Sequence, residues 1–197
     1  MTQNTRILFM AGSTRTGSFN AQLAEAAART AERRGDIDVT RINLSHYNVP
    51  IYNGDLEQEK GVPNDVRDLR QLFASHHGFC IASPEYNSTL SPLLVNTLHW
   101  ISRPDGDVPG LVAFRGKVAG LVAASPGALG GLRGLVPLRM MLGNIGVQVI
   151  PSQLAIVKAG DAFDGNGEFR DVEWQKKLDG VIDELARTAG AIGKAEG

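Results

Sequence analysis

The chain has 197 residues, 43% hydrophobic and 21% charged, with a formal net charge of −1. This length suits one domain with one sizeable core, residues 1–197, and the near-neutral balance gives no general attraction for nucleic acid. The single cysteine, Cys80, allows no internal disulfide; no apolar stretch approaches the roughly 20 residues that cross a bilayer, and the start "MTQNTR" lacks a signal-peptide pattern, so a cytoplasmic protein without a membrane partner is expected.

In chain order, the continuously apolar run Ile7 to Ala11 predicts a strand covered on both faces. Leu23, Ala24, Ala27 and Ala31 then recur at helical spacing up to Gly35, a stop signal. A second strand is expected in "IDVTRINL", followed by a polar, irregular stretch from Ser45 to Gly61. Pro63 opens a helix with Val66, Leu69, Leu72 and Phe73 on its apolar face, and "FCIAS" reads as a third strand. In "SPLLVNTLHWIS", Ser91 is an N-cap, Pro92 sits at the first helical position, and Leu94, Leu98 and Ile101 share a face. A Gly/Pro-rich link (103–116) leads to a fourth strand, "KVAGLVAAS", and a helix carrying Leu138, Met141, Leu142 and Ile145. A fifth strand lies within "VQVIPSQLAIV", and the last helix sets Trp174, Leu178, Val181, Ile182, Leu185, Ala189 and Ile192 on one stripe.

Five strands alternating with five helices imply an α/β fold: a mainly parallel sheet with helices on both faces and right-handed crossovers. The count suits the flavodoxin-like order 2-1-3-4-5. Ligands of such sheets bind beyond the carboxyl ends of the strands, where the order reverses. The loops meeting there are "GSTRTGSFN", "SPEYNSTLS" and "SPGALGG".

The first loop leads into a helix start, whose unpaired N–H groups and positive dipole end favour an anion. Ser13, Thr14, Thr16 and Ser18 add hydroxyls, Arg15 a cation and Asn20 an amide. A plain glycine turn capped by Ser18 is the alternative reading. The spacing Gly12 to Gly17 matches a nucleotide P-loop, but Ser18 and Phe19 stand where Lys and Ser/Thr belong. The dinucleotide fingerprint also fails, because Thr14 replaces its second glycine. A terminal phosphate monoester, such as that of FMN, fits better.

Together, "GSTRTGSFN", "SPEYNSTLSPLLVNTLHWISR" and "SPGALGGLRG" resemble the NADPH-dependent FMN reductases, a flavodoxin-like family of flavin, quinone, azo-dye and chromate reductases. The resemblance runs from about Arg6 to the last helix. It implies that Ser13, Arg15, Ser18 and Asn20, with Phe19 in the same loop, hold the FMN phosphate. It sets Pro84, Glu85, Tyr86 and Asn87 along the ribityl chain and ring, and Ser125, Gly127 and Gly130 at the ring's other edge. It further implies NADPH or NADH as donor, a small-molecule acceptor, and a homodimer or homotetramer.

Backbone beside a flat ring needs small residues, and N–H groups aimed at its pyrimidine side would stabilise the charge that appears on reduction. Hydride chemistry belongs to the flavin, so no catalytic side chain is expected, and a ping-pong cycle on one open face follows. Arg15 and Arg103 are candidate partners for a 2′-phosphate. The chain departs from the family's K-N-A-[IL]-D-W, with Val95 for Lys and His99 for Asp. Leu93, Leu94, Val95, Leu98, Trp100 and Ile101 give that helix more apolar surface than one stripe needs, which suggests a subunit interface.

His76 and His77 end a helix where positive charge is favourable, and no metal site is expected. "DGNGEF" lacks the glycine and glutamate of a calcium loop and reads as a turn. Two rival readings stay open: an electron carrier without NADPH oxidation, and a regulatory module of the same fold.

Overall fold

The computed structural model describes residues 4–195. β1 (Thr5–Ala11), β2 (Ile37–Ile42), β3 (Gly78–Ala82), β4 (Val118–Ala124) and β5 (Gln148–Ile156) form one sheet in the order β2-β1-β3-β4-β5. Every neighbouring pair is parallel, as expected of the flavodoxin-like arrangement. The central strands are apolar at nearly every position because both faces are covered. Ile7, Phe9 and Ala11 of β1 turn to one side, and Leu8 and Met10 to the other.

The first face is closed by α1 (Phe19–Arg34) and by the last helix, α6 (Val172–Ala195). Gly35 ends α1 at φ 75°, a conformation that favours glycine. On α6 the expected stripe is deepest at Leu178, Ile182, Leu185 and Ala189, while Trp174 and Ile192 flank it. Cys80 is also buried on this side, and burial pushes its thiol up to about 12.

The opposite face carries α3 (Asn64–Ser75), α4 (Pro92–Ile101) and α5 (Leu132–Asn144). The link before β4 is fastened to α3 by Asp105, which accepts bonds from Arg67 and Arg70 and is held at about 2 by them.

Three expectations need correcting. The stretch 45–61 is not wholly irregular, because it contains a short 3-10 turn (Leu44–His46) and α2 (Gly54–Lys60), so six α-helices accompany the sheet among the described residues. The surplus apolar surface of α4 is largely internal. Trp100 is fully buried; its Nε1 donates to Pro50 at 2.7 Å and its ring meets Tyr52 edge-on at 5.0 Å. Leu93 and Val95 are half-buried against the same core.

His76, finally, is not an exposed charge at a helix end. It is buried, its Nδ1 lies 2.7 Å from the Leu72 carbonyl and its Nε2 2.8 Å from Thr40 Oγ1. Burial pushes its pKa below the ordinary histidine value despite the bond to Leu72.

Candidate functional site

Because β1, β3 and β4 run parallel and adjacent, the three loops that follow them emerge at one edge of the sheet. Side chains knit these loops together. Ser91 caps α4 by accepting from Leu94 N at 3.2 Å, and its hydroxyl donates to the Gly12 carbonyl at 2.7 Å. The sequence shows the cap and conceals the second bond. A Cβ on Gly12 would lie 3.1 Å from Ser91 Oγ and 3.3 Å from Pro84 Cδ, so a side chain there would push the first two loops apart.

In the first loop Ser18 is buried as the N-cap of α1, accepting from Ala21 N at 3.3 Å. Gly17 takes φ 68° just before it. Arg15 folds its guanidinium onto the carbonyls of Thr16 and Gly17, each at 3.2 Å, and over the Phe19 ring at 6.0 Å. Ser13 Oγ accepts from Arg15 N at 3.3 Å. The first-turn N–H groups of Phe19 and Asn20 have no carbonyl one turn back within the helix. The side chain of Asn20 lies elsewhere than expected. It is buried against β4, its Nδ2 donating to Ala124 O at 2.9 Å and its Oδ1 accepting from Ala124 N at 3.0 Å. Asn20 therefore clamps α1 to the sheet, and the backbone N–H is what it offers the loop.

The second loop is a miniature hairpin in which Tyr86 and Thr89 exchange backbone bonds of 3.1 and 3.0 Å. Its two central residues, Asn87 and Ser88, take φ of 51° and 64°. Pro84 is buried and Tyr86 is 47% exposed. Glu85 does not lie free along the groove. Its carboxylate accepts from the backbone N–H of Arg133 at 3.0 Å and of Gly134 at 3.3 Å, and from Arg133 Nε at 2.8 Å. Arg133 thus partners Glu85 across 48 residues, a contact with no local signal in the sequence.

In the third loop Ser125 Oγ accepts from Gly127 N at 3.2 Å, while Ser125 is fastened to β5 through Ile156 O at 3.1 Å. Gly130 and Gly131 take φ of 61° and 92°. A Cβ on Gly130 would lie 2.8 Å from the Ile156 carbonyl carbon, and one on Gly131 2.8 Å from Ala123 Cβ. Only glycine lets this loop cross so close to the strands.

Between the first two loops runs a groove of about 530 Å³, bordered by Gly12 to Arg15 on one wall and Tyr86, Asn87, Pro92 and Leu93 on the other. This volume suits a small organic ligand. A second hollow of about 460 Å³ lies on the β2 side of the first loop, between α1 and Tyr47. Arg103 is engaged away from both. Its Nε binds Glu57 at 2.8 and 3.0 Å, and its guanidinium lies 5.6 Å from the Tyr52 ring. The pairing holds the Glu57 carboxyl below its usual range.

The chain is 29% identical over 172 residues to an NAD(P)H-dependent FMN reductase of Pseudomonas aeruginosa, covering 87% of this chain and 88% of that one. It is 30% identical over 143 residues to a quinone reductase of Escherichia coli, covering 72% and 71%. Among solved structures, the flavoenzyme NAD(P)H:(acceptor) oxidoreductase of Paracoccus denitrificans superimposes with a TM-score of 0.79 at 25% identity, over 96% of this chain and 98% of that one. The profile of one family spans residues 5–161, including all three loops. The chain is thus a member of the NADPH-dependent FMN reductase family, an oxidoreductase.

Proposed function

We propose that the chain is an FMN-dependent NAD(P)H oxidoreductase whose acceptor is a quinone, a flavin or a similar small molecule. The observation that carries this reading is that the three loops emerge at one edge of the sheet, the first two facing each other across the groove and the third joined to the second where Glu85 meets the start of α5. The donor set fits FMN. Ser13, Arg15 and Ser18, with the N–H groups of Phe19 and Asn20, offer hydroxyl, cationic and backbone donors to a phosphate. Pro84, Glu85, Tyr86 and Asn87 would flank the ring from the second loop, of which Tyr86 and Asn87 border the groove. Ser125, Gly127 and Gly130 would flank the ring's other edge, with Gly127 leaving room for backbone to approach a flat surface.

FMN held there would supply hydride transfer between NAD(P)H and the acceptor. The protein's part is to orient the donor over the exposed face and to place backbone dipoles where charge develops. Arg103 is engaged with Glu57, which removes it as a partner for a 2′-phosphate. One face serving donor and acceptor in turn makes the cycle ping-pong, giving parallel double-reciprocal lines; intersecting lines would reject that scheme.

The deciding experiment is the visible spectrum of the protein loaded with FMN, recorded anaerobically before and after NADPH. Bleaching of a bound-flavin band is expected. A band that persists with both NADPH and NADH would make the protein a carrier, and the absence of any band would remove the flavin reading. A homodimer or homotetramer completes the proposal, now supported by apolar residues on the outer side of α5 more than by α4.

A further inference from the structure

We propose that Glu85 is a positioning residue that sets the spacing of the two loops flanking the ring, acting as an N-terminal cap supplied to α5 from outside the helix. The inference rests on the flavin reading above for its consequence, but not for the cap itself. The residue preceding α5 is Gly131, which has no side chain to bond the helix's first N–H groups. Such groups need acceptors, and a carboxylate satisfies both their bonding and the helix dipole.

Glu85 meets that need from 48 residues upstream. One oxygen takes the N–H groups of Arg133 and Gly134, the other takes Arg133 Nε, and the Glu85 side chain is only 9% exposed. Position 134 is shaped to this approach, since a Cβ there would stand 3.3 Å from Glu85 Cβ and 3.2 Å from Thr89 O. On either side of the clamp the backbone is already constrained. Asn87 and Ser88 hold positive φ in the second loop, and Gly130 and Gly131 press against β5 and β4 in the third. Among the described residues, the bonds of Glu85 are the side-chain hydrogen bonds that join these two loops. Loosening them frees the width of the ring's berth.

The test compares Glu85→Ala, Glu85→Gln and Arg133→Ala in the full chain. Amide hydrogen exchange at Arg133 and Gly134, measured without flavin, reports the cap alone. Fluorescence titration with FMN, and the reduction potential of the bound flavin, report its consequence. E85A is expected to accelerate exchange at Arg133 at least tenfold and less at Gly134, whose N–H also donates to the Gly131 carbonyl at 3.2 Å, to weaken FMN at least tenfold and to shift the potential negative. E85Q, which keeps one oxygen acceptor, should fall between E85A and wild type and serves if E85A does not fold. R133A leaves the backbone bonds in place and should stay within threefold of wild type in FMN affinity.

Exchange unchanged in both Glu85 variants would overturn the cap. Faster exchange with affinity and potential as in wild type would overturn the positioning role and leave Glu85 a structural residue. Wild-type protein that binds no FMN would instead refute the flavin reading, with the exchange result still deciding the cap.

Discussion

Asn20 shows how one side chain can carry two readings. In a loop of hydroxyls and one arginine, an asparagine reads as an anion ligand, yet its amide completes the hydrogen bonding of Ala124 at the end of β4, 104 residues away. No local pattern reveals a partner at that separation. Truncation would leave the buried N–H and C=O of Ala124 unpartnered, each costing about 1–3 kcal/mol. Asn20→Ala is therefore expected to lower stability by about 2–4 kcal/mol in urea unfolding, well beyond the loss of a surface amide. His76 makes a second residue-scale prediction. Its folded pKa lies below the unfolded value, so its contribution to stability is present above the unfolded pKa and is lost as pH falls through the folded one. His77, whose Nδ1 accepts from Arg6 N at 3.0 Å, is shifted the same way by burial. Melting temperatures followed from pH 8 downward should decline through the histidine range, about 6.5 and below, and less steeply in His76→Gln.

At the scale of elements, the strands, their order and five of the six α-helices could be read from period and punctuation, because a covered parallel sheet writes itself as short apolar runs. The missed helix, α2, has only Leu56 to mark an apolar face, although Asn53 caps it and Gly61 ends it. The three loops were legible because glycines, prolines and hydroxyl residues cluster there, whereas Ser91 to Gly12 and Glu85 to α5 are contacts that only folding creates. The hairpin of the second loop was hidden for a different reason. Two consecutive positive φ values normally call for Asn-Gly, and here serine holds the second place. A non-glycine residue in that region stores strain of order 1 kcal/mol. Ser88→Gly is accordingly expected to stabilise the protein by about 0.5–1 kcal/mol in thermal or urea unfolding. A loss of stability would show that the Ser88 side chain makes a contact worth more than the strain.

For the whole molecule, the proposed homo-oligomer needs an apolar face left open by the protomer. The sequence points to α4, but folding places Trp100, Leu94, Leu98 and Ile101 of that helix inside the protomer. On α5, Leu132, Val136 and Met140 are exposed apolar residues spaced four apart, with Val136 65% and Met140 64% exposed. Tyr86, also exposed, borders the groove. An exposed apolar patch of this kind marks an interaction surface, and a second copy of the chain presents the same stripe, as a two-fold interface requires. Light scattering at tens of micromolar should therefore give at least twice the protomer mass, and Val136→Glu combined with Met140→Glu should return it to the protomer value. Since both side chains already face solvent in the protomer, the double variant should keep its intrinsic stability to within about 0.5 kcal/mol. The stripe begins at Leu132, immediately after the third loop, so the same substitutions should also weaken FMN binding. A dimer built on another face would leave both mass and affinity unchanged, and a monomeric wild type would remove the assembly altogether.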